Sequence, residues 1–69
     1  MRSNTIDIKL TLTEAGLSRF HRTPTFRDLL HPNQVEMLVV GDNLLTVNHT
    51  VWGDLQRVAD WHVQVAKAD

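Results

Sequence analysis

The last twenty residues set the strictest demand on how this chain can fold. Val51, Leu55, Val58, His62 and Val65 recur at spacings of four, three, four and three, the period of one helix face. At about 100° per residue, Trp52, Ala59, Val63 and Ala66 widen that face to an arc of roughly 160°. The pattern predicts one long amphipathic helix over residues 50–69, capped by Thr50 with Asp54 in its first turns. A stripe that wide must be covered. A chain of 69 residues has little to cover it with, because at this size only about 60% of the unfolded surface is buried on folding. There is no cysteine, so disulfides are excluded and the commonest zinc ligand is absent. Oligomerisation is the brace that remains. Val58, His62 and Val65, on the stripe, are the expected seam of a homodimer.

Upstream, Ile6, Ile8, Leu10 and Leu12 alternate with Asp7, Lys9 and Thr11, the signature of a strand with one face to the core and one to water. Thr13 is placed to cap a short helix over 14–22, with Glu14 in its first turn and Leu17 and Phe20 three apart. Gly16 weakens that helix by about 1 kcal/mol relative to Ala, and Thr23-Pro24 breaks it. Thr25 caps a second short helix, with Asp28 three residues on and Phe26, Leu29 and Leu30 as its apolar side. His31-Pro32 ends it. Residues 35–40 read as a strand apolar on both faces, Gly41-Asp42-Asn43 as a hairpin turn, and 44–48 as the returning strand. The expectation is one α+β domain over residues 1–69, in β-α-α-β-β-α order. A three-stranded, mainly antiparallel sheet would carry the long C-terminal helix on one face.

Composition narrows the function classes. With 42% apolar and 22% charged residues the chain is ordinary for a globular domain and unlike a disordered one. No segment approaches the roughly 20 apolar residues of a membrane span, and the start of the chain has no apolar leader core. A cytoplasmic protein with no membrane partner is expected. Asn48-His49-Thr50 matches a glycosylation acceptor only formally. Net charge is −1, unevenly spread. Residues 1–27 carry five basic residues against two acidic ones, and residues 28–69 carry two against six. Such an asymmetry can steer a partner.

Catalytic patterns are missing. The four histidines, His21, His31, His49 and His62, are separated by ten, eighteen and thirteen residues, and zinc-binding helices place two ligands three to five apart. No metal and no cofactor are expected. Ser3 and Ser18 sit in no nucleophile elbow, and Gly16, Gly41 and Gly53 form no phosphate loop. The chain is therefore expected not to be an enzyme. Its contact-prone residues are Arg19, Arg22 and Arg27, which flank the helix break, together with Arg57 and Trp61. Trp and Arg are the types most enriched where binding energy concentrates, so these five form the expected partner-binding set. Trp61 is expected to be exposed in the protomer and Trp52 buried. The reading that follows is a non-enzymatic interaction module, a homodimer that docks on a larger protein and modulates or inhibits it. Small, cysteine-free, single-domain chains are common among phage and mobile-element accessory proteins and among antitoxins, so a protein of that type is expected; no motif points to it. The alternative is a small nucleic-acid-binding regulator that uses the 19–27 cluster on phosphates.

Overall fold

The first strand, β1 (Thr5–Leu12), is the centre of the architecture. Its alternation is as the sequence predicts: Ile8, Leu10 and Leu12 are buried while Asp7 and Lys9 face water. In the computed structural model, which describes residues 4–68, β1 is followed by α1 (Glu14–Arg22), α2 (Pro24–Arg27), α3 (Pro32–Met37), β2 (Gly41–Asn48), α4 (His49–Val58) and β3 (Val63–Lys67). Arg2 and Asp69, which contribute to the charge asymmetry, lie outside the described residues. The three strands form an antiparallel sheet in the order β2-β1-β3. The element order is thus β-α-α-α-β-α-β, and the described residues contain no long C-terminal helix.

That last point corrects the most prominent expectation. The helix stops at Val58, and residues 63–67 pair with β1 instead. Two physical causes combine. The Asp60 carboxylate accepts from the backbone N–H groups of His62 (2.7 Å) and Val63 (3.2 Å), a local turn that competes with helix continuation. A central strand also exposes N–H and C=O groups on both edges, and β1 would be unpaired on one side without β3. Val63 and Val65 satisfy a period of two as well as a period of 3.6, so the helical spacing did not decide between them. The cap of α4 is Asn48, whose side chain accepts from the Val51 N–H at 2.8 Å; Thr50 lies inside the helix.

Residues 35–40 are the second correction. Pro32 opens α3 rather than closing a preceding helix, because proline at the first helical position loses no hydrogen bond. The Gln34 side chain reaches back to the His31 N–H at 3.0 Å, fixing the start. Val35 and Leu38, three apart, then bury. Gly41, Asp42 and Asn43 are not a hairpin turn but the first residues of β2, whose partner is β1, with Leu10 opposite Asn43 and Leu12 opposite Gly41. Gly41 enters the strand at φ +103°, a conformation glycine adopts without steric cost. Asn43 is buried, and its amide donates to the carbonyls of Leu10, Val39 and Gly41 while its Oδ1 accepts from the Val39 N–H. One polar side chain thereby ties the 38–40 loop to the sheet. Helix α2 starts at Pro24 behind Thr23, with no side-chain cap, so Thr25 is not the capping residue. Thr13 does cap α1, accepting from the Gly16 N–H at 3.2 Å.

The helices cover one face of the sheet. Ile8, Leu10, Leu12, Val47 and Val63 from the strands meet Phe20, Leu30, Val35, Leu38 and Leu55 there. Phe20 packs edge-on against Phe26, ring centroids 5.4 Å apart. The opposite face is open to solvent and carries Asp7, Lys9, Asp42, Leu44, Thr46, Gln64 and Ala66.

Candidate interaction surfaces

Trp61 is the most exposed large aromatic side chain, at 78% of its full surface. It sits on the connection from α4 to β3, and that connection is held from several directions. Asp60 bonds the following N–H groups as above, and its own N–H donates to the Val63 carbonyl at 2.9 Å. The Arg19 guanidinium forms an ion pair with the Asp60 carboxylate at 2.6 Å. That hydrogen bond, reinforced by the His62 N–H, holds the Asp60 carboxyl below the usual aspartate pKa. The carbonyl of His62 accepts from the Thr13 N–H at 3.2 Å, and the His62 Nδ1 lies 2.8 Å from the Thr13 hydroxyl. The result is an indole projected into water from a turn braced against the start of α1.

The expected partner-binding set is only partly brought together. Arg19 and Trp61 flank the same residue, Asp60, and the Arg19 guanidinium lies 5.8 Å from the centroid of the Phe26 ring. Arg19 is therefore committed to a cation–π and ion-pair contact. Arg22 is exposed at the end of α1. Arg27, with His21, Asp28 and Glu36, lines an open hollow of about 510 Å3 between α1, α2 and α3. Its positive charge is offset by those two carboxylates, so the charge asymmetry along the sequence is partly folded away. Arg57 pairs with Asp54 one turn back on α4. The expected dimer seam does not exist as a helix face: Val58 ends α4, His62 belongs to the turn, and Val65 lies on β3. Each of the three is half-buried in the protomer. Trp52 is half-buried rather than buried, and packs on the core.

A second surface was not read from the sequence. Met37, Val39, Val40 and Leu44 are each more than half exposed, and they gather where α3 passes into β2. Met37 and Leu44 line a shallow groove of about 420 Å3 with Asn33, Gln34, Asp42 and Thr46. The groove runs along the free edge of β2. The Asp7 carbonyl accepts from the Ala68 N–H at 3.0 Å, so Asp7 turns its backbone toward β3 and away from Thr46, the residue opposite it on β2. By the alternation of an antiparallel ladder, Asp42, Leu44 and Thr46 direct N–H and C=O outward. The Gln34 amide takes one of these groups, donating to the Thr46 carbonyl at 2.9 Å. The signal available in sequence was Leu44 itself: with Asn43, Leu45 and Val47 facing inward, a leucine between them must face out.

Among the described residues, no group of three or more histidine, aspartate or glutamate side chains is positioned to hold a metal ion, and no helix is long and apolar enough to cross a membrane. No family model, no curated protein and no solved structure matches this chain.

Proposed function

We propose that the chain is a non-enzymatic docking module that binds a larger protein through the Trp61 turn and modulates that protein by occupying its surface. The observation that carries this reading is an indole 78% exposed on a turn whose backbone is hydrogen-bonded on both sides. A pre-positioned aromatic gives up little conformational freedom on binding, so most of the free energy of covering it is retained as affinity. The Arg19–Asp60 pair beside it supplies a polar rim. The partner this surface fits is a protein with an apolar pocket sized for an indole, bordered by hydrogen-bonding groups.

The alternative, a nucleic-acid regulator, rests on Arg22 and Arg27, which have no ion-pair partner among the described residues. It has less support. The open sheet face carries Asp7 and Asp42 and no aromatic side chain on which a base could stack. A pull-down from the source cell with the full chain and with Trp61→Ala as parallel baits tests the docking reading. A protein retained by the first and lost by the second, while both baits keep the same circular dichroism, supports it. An identical captured set overturns it. Nucleic acid that is captured equally by both and released by salt favours the alternative.

A further inference from the structure

We propose that β2 is a self-pairing edge. Two copies of this chain join β2 to β2 antiparallel about a two-fold axis at Leu44, giving one six-stranded sheet ordered β3-β1-β2-β2-β1-β3. The surface is separate from the Trp61 turn, and neither reading depends on the other.

The choice of a second copy as occupant follows from the register. Strand β2 is eight residues long and contains no proline, and it offers the outward backbone groups of Asp42, Leu44 and Thr46. An exposed edge of this kind is a template for another strand. With the axis at Leu44, each Leu44 exchanges two backbone hydrogen bonds with its copy, and each Asp42 lies opposite the other copy's Thr46. No like charges face one another. Moving the axis to Asp42 sets two carboxylates opposite each other, which is unfavourable. Moving it to Thr46 runs the pairing past Asn48 into α4. On the solvent face of the joined sheet, Leu44, 75% exposed in the protomer, covers its own copy. Met37, 77% exposed and lining the same groove, is carried to the seam with it. The Gln34 amide holds the Thr46 carbonyl in the free protomer. It shares or yields that carbonyl, which has a second lone pair, when the copy's Asp42 N–H arrives.

The other edge of the sheet is less suited. Strand β3 has five residues, and at one end its Val63 is closed on both backbone groups by Asp60. At the other end the outward register position is Lys67, and a lysine on an edge discourages pairing.

Sedimentation velocity on the full chain from roughly 10 μM to 1 mM, with residue-resolved amide exchange at both concentrations, tests this. A dimer is expected at the upper end, with the Leu44 and Thr46 amides gaining protection as it forms. Leu44→Lys changes an exposed side chain and sets two ammonium groups opposite each other, so it should weaken dimerisation about tenfold or more. Leu44→Glu is the second variant if the first loses its fold. Trp61→Ala should dimerise as the wild type does. A chain monomeric throughout the range overturns the proposal. So does a dimer whose new protection falls on Val65 and Lys67, a folded Leu44 variant that still dimerises normally, or a Trp61→Ala variant that does not dimerise.

Discussion

Gly16 lies against the backbone of His62: a Cβ on residue 16 would overlap the backbone carbonyl oxygen of His62. Helix α1 approaches the turn before β3 this closely because residue 16 has no side chain. The same carbonyl accepts the Thr13 N–H, so the turn cannot retreat without losing a bond at the start of α1. This glycine lowers the intrinsic propensity of its own helix and is required by a contact 46 positions downstream.

Gly16→Ala should therefore destabilise the protein by about 1–3 kcal/mol, the usual cost of overfilling a packed site, although alanine is the better helix former. Gly53, inside α4, has nothing within 4 Å of the corresponding position. Gly53→Ala should act in the opposite sense, stabilising by up to about 1 kcal/mol. Thermal unfolding of the two variants side by side checks both signs. Equal shifts in Tm would mean that the α1–turn contact is not tight.

Asp60 gives a pH signature. Its carboxyl is held below the usual aspartate pKa, first by the Arg19 hydrogen bond and then by the His62 N–H. A depressed native pKa contributes stability that is fully present above the ordinary aspartate value and is lost as pH falls through the lowered one. Carboxyl titration followed by NMR should place Asp60 below a model aspartate, and Arg19→Gln should move it back upward. The Trp61 indole resonance should shift over the same pH interval, since Asp60 orders its turn. An Asp60 titration unchanged by Arg19→Gln would remove the ion pair from the account of that turn.

Asn43 is the buried polar residue on which the 38–40 loop depends. Asn43→Ala leaves the Val39 N–H and the carbonyls of Leu10, Val39 and Gly41 short of a partner, which should cost about 1–3 kcal/mol. Asn43→Asp should be worse at neutral pH and recover as acid protonates it, because a carboxylate would face three carbonyl oxygens. Urea unfolding of both variants at two pH values measures this. A neutral Asn43→Asp that matches the wild type would contradict the network.

The two tryptophans should separate cleanly. Trp61→Ala alters an exposed side chain and should change stability by no more than about 0.5 kcal/mol. Trp52→Ala removes an indole packed on the core and should cost clearly more. In single-tryptophan variants, Trp61 should emit to the red and be readily quenched. A blue-shifted, protected Trp61 in the protomer would remove the main residue of the proposed docking surface.

What could be read in the sequence was local. The period-two alternation of β1, the Thr13 cap with α1 behind it, and the apolar strand after Asn43 each rest on neighbours within a few residues, and each stands in the structure. The α+β character and the antiparallel sheet followed from them. The exposure of Trp61 was expected and is seen, although the residue projects from a turn and not from a helix flank. What the sequence left open was every segment with two locally acceptable answers. Residues 63–67 satisfy helix and strand periods alike, and the unfilled edge of β1 decided for strand. Residues 35–40 are apolar enough for a strand, and the reach of Gln34 back to His31, with Val35 and Leu38 turned into the core, decided for helix and loop. The Gly16–His62 approach, the Arg19–Asp60 pair and the outward register of β2 join residues far apart in the chain. No local pattern encodes them; they exist because the backbone groups of β1 must be paired on both sides and its apolar face covered on one.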